Sequence, residues 1–167
     1  MTNANQAMSL HLLRHADAGD PEAWQGDDTA RPLSGKGVRQ AERLARHLAA
    51  VGFEPDAILT SPKIRAVQTA EIVGRALGVE PRTDERLMGA PGLREVAAIL
   101  ADAGSPRRPV LVGHDPEFSE MLAELCGASS VPMKKGALAR VDLRGPLAAG
   151  TGELRWLLPP DLLPREP

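Results

Sequence analysis

Short apolar runs alternate with amphipathic segments along most of the chain. Residues 9–14, "SLHLLR", form a nearly continuous apolar run, as expected of a strand buried on both faces. Residues 1–8 before it read as a loose tail. Residues 16–33 carry Gly, Asp and Pro and predict a long loop, which in a compact domain is usually functional or mobile. Ser34 is placed to cap a helix reaching Ala50, with Val38, Ala41, Leu44, Ala45 and Leu48 on one face and Gly52 as its stop. Ala57–Thr60 predicts a second short strand. Ser61-Pro62 then reads as a capping hydroxyl followed by proline at the first helical position, opening a helix to Leu77 with Gly78 as its end.

The second half repeats this rhythm. Residues 79–91 are a connection with room for a short strand, and Leu93–Ala103 is helical. Pro109–Val112 predicts a third buried strand. Asp115-Pro116 repeats the cap-then-proline signal for a helix to Leu125. Ala137–Leu143 and Glu153–Leu158 predict two more strands, joined by "RGPLAAGTG" and close enough to pair antiparallel. The proline-rich end, residues 160–167 included, reads as a tail or edge segment. Strand and helix in alternation imply an α/β protein with a mainly parallel sheet and helices on both faces. We read residues 1–167 as one domain.

Composition narrows the function classes. The chain has 167 residues, 43% hydrophobic and 25% charged, with a formal net charge of −2. That balance argues against general attraction to nucleic acid or to an anionic membrane. With two Trp, two Phe and no Tyr, base-stacking platforms are not expected either. Cys126 is the only cysteine, so neither an intrachain disulfide nor a thiolate metal cluster can form. The first eight residues lack the pattern of a signal peptide, and no stretch has the length of a membrane span, so the expectation is a cytoplasmic protein.

The polar residues collect at strand ends. Arg14-His15 follows the first predicted strand, Ser61-Pro62-Lys63-Ile64-Arg65 the second, and Gly113-His114-Asp115-Pro116 the third. In open parallel sheets the carboxyl ends of the strands share one rim, where ligands bind. Arg14, His15, Arg65 and His114 are therefore expected to converge on an anion pocket. Guanidinium forks match phosphoryl oxygens, and helix N-termini add a favourable field. A neutral imidazole supplies a nucleophile near pH 7. No carboxylate cluster of metal-binding spacing accompanies these residues, so we expect neither metal nor cofactor, with arginine supplying the positive charge. His11, inside its strand, His47, on the polar face of its helix, and Cys126 are read as structural.

The segments "LLRHADA", "RPLSGKG", "LTSPKIRAVQTA" and "VGHDP" stand in the order found in the histidine phosphatase superfamily, and the chain resembles that family over residues 10–118. Its shortness makes it most similar to the SixA-type phosphohistidine phosphatases. The resemblance implies the phosphoglycerate-mutase-like fold, a three-layer α/β/α sandwich. It implies His15 as the residue that becomes phosphorylated, Arg14 and Arg65 as the grip on the phosphoryl oxygens, and His114 as a further donor. Arg31 and Asp17 are placed at the substrate-binding edge. For the general acid that many members carry, Asp17 and Glu85 are the alternatives, along with no acid at all, because the imidazole of phosphohistidine leaves more readily than an alkoxide. The expected substrate is a phosphorylated protein, such as a histidine phosphotransfer domain in signal transduction. A small phosphate ester and a non-catalytic phosphate-binding module are the other readings.

Overall fold

The computed structural model describes residues 7–165. It contains β1 (Ala7–Arg14), α1 (Gly35–Ala50), β2 (Ala57–Thr60), α2 (Ile64–Leu77), β3 (Arg82–Thr83), α3 (Leu93–Asp102), β4 (Pro109–Gly113), α4 (Glu117–Cys126), β5 (Leu138–Arg144) and β6 (Gly152–Leu158). The strands form one sheet in the order β3-β2-β4-β1-β5-β6. Strands β3, β2, β4 and β1 run parallel, while β5 is antiparallel to β1 and β6 is antiparallel to β5.

Successive side chains of a strand point to opposite faces, and here both faces are covered. Leu10, Leu12, Leu59 and Leu111 face α3 and α4, packing with Val96, Ile99, Phe118 and Leu122. Leu13, Ile58, Val110 and Val112 face α1 and α2, packing with Leu44, Leu48, Ala70 and Val73. This explains why β1, β2 and β4 read as unbroken apolar runs. The result is a three-layer α/β/α sandwich on a sheet that is parallel over four strands. Among the described residues, no helix is long and apolar enough to cross a membrane.

Some local expectations shift. Ala7 and Met8 are not tail residues; they pair with Arg144 and Leu143 of β5. Residues 1–6 lie outside the described residues. At the other end Pro160–Leu162 forms a short 3-10 turn, and Leu163 is buried in the α1/α2 layer, so this segment is docked rather than loose. Residues 166 and 167 lie outside the description. Ser61 does not cap α2, which starts at Ile64 with Lys63 in the cap position and no side-chain cap bond. Its hydroxyl instead accepts the Lys63 N–H (3.2 Å) and meets a histidine described below. Asp115 likewise stands before α4, which starts at Glu117, and its carboxylate takes the backbone N–H (3.1 Å) and hydroxyl (2.6 Å) of Ser119.

The long 16–33 connection is built rather than open. It holds two 3-10 turns, capped by Asp20 and Asp27. It also packs tightly on the start of α1: a Cβ at Gly37 would collide with the Asp17 backbone carbonyl. Ser34 caps α1 as expected, accepting the Gly37 N–H at 3.0 Å.

Candidate active site

Strand register brings the polar ends together. Arg14 lies opposite Gly113, and Thr60 opposite Val112, so the next residues along the three parallel strands are His15, His114 and Ser61. Backbone bonds extend the pairing past the strands, from His15 N–H to Gly113 O (3.0 Å) and from Ser61 N–H to Val112 O (3.0 Å). A cavity of about 240 Å³ opens at this rim, lined by Arg14, His15, Arg31, Arg65 and His114 together with less expected residues. A second concavity, about 530 Å³, lies at the end of α2 between Glu71 and Pro81 and is lined by no histidine.

The two imidazoles face one another with ring centroids 5.2 Å apart. His15 is buried, and its Nδ1 lies 2.7 Å from the Ala16 carbonyl oxygen. A carbonyl can only accept, so Nδ1 carries the proton and Nε2 keeps its lone pair. Burial, helped by the positive charges of Arg65 and Arg14, pushes the His15 pKa down to about 4, so the ring is neutral at pH 7. His114 is pushed down to about 3, by burial first and then by repulsion from His15 when that ring is protonated and from the positive Lys63 and Arg65. Its Nε2 lies 2.7 Å from Ser61 Oγ.

The arginines are held by their outer edges. Arg14 Nη1 donates to Met133 O (2.7 Å) and lies 3.5 Å from Asp115 Oδ2. Arg65 donates from Nη1 to the Asp28 carbonyl (2.8 Å) and from Nη2 to Asp28 Oδ2 (2.9 Å). Arg31 donates from Nε to Asp28 Oδ1 (3.0 Å) and from Nη1 to Ala18 O (2.7 Å). Three nitrogens on residues lining the cavity remain buried without a partner: Arg14 Nε, Arg65 Nε and His114 Nδ1. Buried polar groups are normally satisfied, and a tetrahedral oxyanion has the oxygens to accept from the two arginine N–H groups.

Asp17 and Glu85 sit elsewhere. Neither lines the cavity, and Glu85 is exposed. The Asp17 carboxylate accepts from the Ser34 hydroxyl (2.6 Å), the Gly19 N–H (3.2 Å) and Lys135 (3.3 Å). The Ser34 bond above all lowers its pKa, so it stands ionised at pH 7. The carboxylates that do line the cavity are Asp115 and Glu117. Among the described residues there is no group of three or more His, Cys, Asp or Glu side chains arranged to hold a metal ion.

Sequence reasoning did not reach Asp28, Ser61 as a site residue, Lys63, Glu117 or Lys135. Asp28 had a signal, an acid three residues before Arg31. Ser61 reads as a cap, but in the structure it does not cap α2, and its hydroxyl meets the Lys63 N–H and His114 Nε2 instead. Lys135 comes from the loop before β5, and nothing local marks it.

A model of the histidine phosphatase superfamily (branch 1) matches residues 10–90. The phosphohistidine phosphatase SixA of Escherichia coli K12 is 29% identical over 92% of this chain and 94% of its own length. An uncharacterized protein of Picosynechococcus is 38% identical over 68% of this chain and 70% of its own. The solved structure of the protein histidine phosphatase SixA complexed with tungstate superposes with a TM-score of 0.78 at 28% identity, over 92% of this chain and 98% of that one. Fold, segment order and these likenesses agree: the chain belongs to the histidine phosphatase superfamily, and it is a phosphatase.

Proposed function

We propose that this chain acts in the cytoplasm, without a metal, to remove the phosphoryl group from a protein phosphohistidine. His15 is the nucleophile. Its Nε2 lone pair attacks phosphorus, the P–N bond to the substrate imidazole breaks, and that imidazole leaves with the bonding pair and a proton already on its ring. Water then attacks the phosphorylated His15, releases inorganic phosphate and restores the free imidazole. Arg14 and Arg65 hold the phosphoryl oxygens and stabilise the charge that builds on them in flight. Ser61 donates to His114 Nε2, which puts the His114 proton on Nδ1 as a third donor. Arg31 steadies the edge of the pocket, and Asp17 steadies the loop behind it.

One observation carries this reading: a neutral imidazole with its Nδ1–H committed to a carbonyl stands beside two buried arginine N–H donors without a partner, Arg14 Nε and Arg65 Nε. Neither Asp17 nor Glu85 stands in the cavity as a proton donor, which favours phosphohistidine over an ester, because its leaving group needs no dedicated acid. The resemblance to SixA, a phosphohistidine phosphatase, supports the same choice.

The second reading is a phosphatase of a small ester, and Glu117 is the observation that favours it. Its half-buried carboxylate lines the cavity, where it could protonate an alkoxide.

The test is phosphate release from a histidine-phosphorylated phosphotransfer domain with chelator present. Wild type is expected to release phosphate and His15→Ala to lose that activity by a thousandfold or more, as removal of a nucleophile commonly does. Release from small esters alone would favour the second reading. Equal rates in the two proteins would remove His15 from the nucleophile role.

A further inference from the structure

Five arginine and lysine residues line the active-site cavity. Four have carboxylate partners: Arg14 with Asp115, Arg31 and Arg65 with Asp28, and Lys135 with Asp17. Lys63 has none among the described residues. Glu117 lines the same cavity and makes no ion pair with it.

Nothing in the fold asks for a cation at this place. Lys63 is the cap residue of α2, at the positive end of the helix dipole, and the first turn that follows holds no acidic residue. Arg65, in that turn, adds a second positive charge close by. Local electrostatics here oppose the helix, and such conflicts gather at functional sites. Lys63 is also half-buried in the cavity wall, and no carboxylate among the described residues partners it. Its positive charge acts on the His114 ring, whereas that of Lys135 acts on His15.

We propose that Lys63 is a specificity residue that pairs with a second anionic group on the substrate, beside the phosphoryl group. Resting on the reading of a protein phosphohistidine, that group is a carboxylate side chain on the protein surface next to the phosphorylated histidine. The preferred partner is an acidic patch around the phosphohistidine. The rim cation reverses, at the place of contact, the repulsion that a net charge of −2 would otherwise present to it.

Two pairs of substrates test this. The first is a synthetic phosphohistidine peptide with glutamate beside the phosphorylated residue, and the same peptide with glutamine there. The second is phenyl phosphate and carboxyphenyl phosphate, which read the carboxylate preference without any P–N bond. Wild type is expected to favour the carboxylate-bearing member of each pair about fivefold to tenfold in kcat/KM, through KM, with the preference shrinking as salt rises. Lys63→Met should bring that ratio to about one, and Lys63→Arg should keep it. Lys63→Glu should favour a peptide with lysine in the flanking place.

A wild type without preference in either pair would overturn the proposal. So would a Lys63→Met protein that slows both members equally, since the ammonium would then serve the phosphoryl group itself. Wild type that turns over the aryl phosphates with the expected ratio but neither peptide would leave Lys63 in its role and defeat the phosphohistidine reading.

Discussion

Asp28 shows how one short side chain can organise two long ones. Its two carboxylate oxygens take Arg31 Nε and Arg65 Nη2, and its own carbonyl takes Arg65 Nη1. Arginine carries a large rotamer entropy, so an unpinned guanidinium would meet the phosphoryl group in many poses. Arg31 above all, then Arg65, keeps the Asp28 pKa below its ordinary value, so the clamp holds throughout the neutral range. Asp28→Ala is expected to cost about tenfold to a hundredfold in kcat/KM by loosening Arg65, while circular dichroism stays native. Steady-state kinetics on the purified variant check it, and an unchanged kcat/KM would mean that Arg65 needs no such support. The sequence makes Arg14, His15, Arg65 and His114 legible because each follows a predicted strand. The local spacing to Arg31 hints at Asp28, but its contact with Arg65 spans 37 residues, and that of Lys135 with Asp17 spans 118 with no local pattern to mark it.

At the scale of elements, the site depends on how α1 meets the loop after β1. Gly37 allows the first turn of α1 to lie against the Asp17 backbone, where any Cβ would collide. Backbone cannot yield as a flexible side chain can, so Gly37→Ala must push the helix from the loop. We expect a loss of about 1–3 kcal/mol in a denaturant titration, with phosphatase activity falling further than stability alone explains. Full stability in this variant would show that the approach is not constrained. The alternation of strands and helices was readable from periodicity, and the ends of α1 and α2 followed from Ser34 and Gly78. The starts of α2 and α4 were read early, because Ser61 and Asp115 imitate caps while their side chains serve other partners. The docking of Leu163 was not readable, since a proline-rich end looks the same whether or not a groove receives it.

Across the whole molecule, three histidines are buried in the neutral form. His11 packs against Phe53 and Trp156 and has its pKa pushed down to about 4, chiefly by burial, as has His15, while His114 falls to about 3. The unfolded chain would protonate all three near 6.5. Between pH 6.5 and 4 the unfolded state therefore binds more protons, and stability falls as pH falls. From pH 7 to 5 the loss is expected to be roughly 2 kcal/mol per imidazole at most. Urea midpoints at the two pH values measure it, and His11→Gln, outside the active site, should reduce the difference. Equal midpoints in the wild type would mean that these rings are not held neutral.

The sheet order has a consequence in time. Of the strands in this sheet β1 is made first, yet both of its neighbours, β4 and β5, lie beyond residue 108. Until they arrive, an apolar strand that leads directly into the proposed nucleophile has neither of its partners to join. Contacts of such long sequence separation form late and slowly. The site therefore cannot form before its last parts are made: His15 gains His114, and with it a pocket, only when the residues through Lys135 have been synthesised.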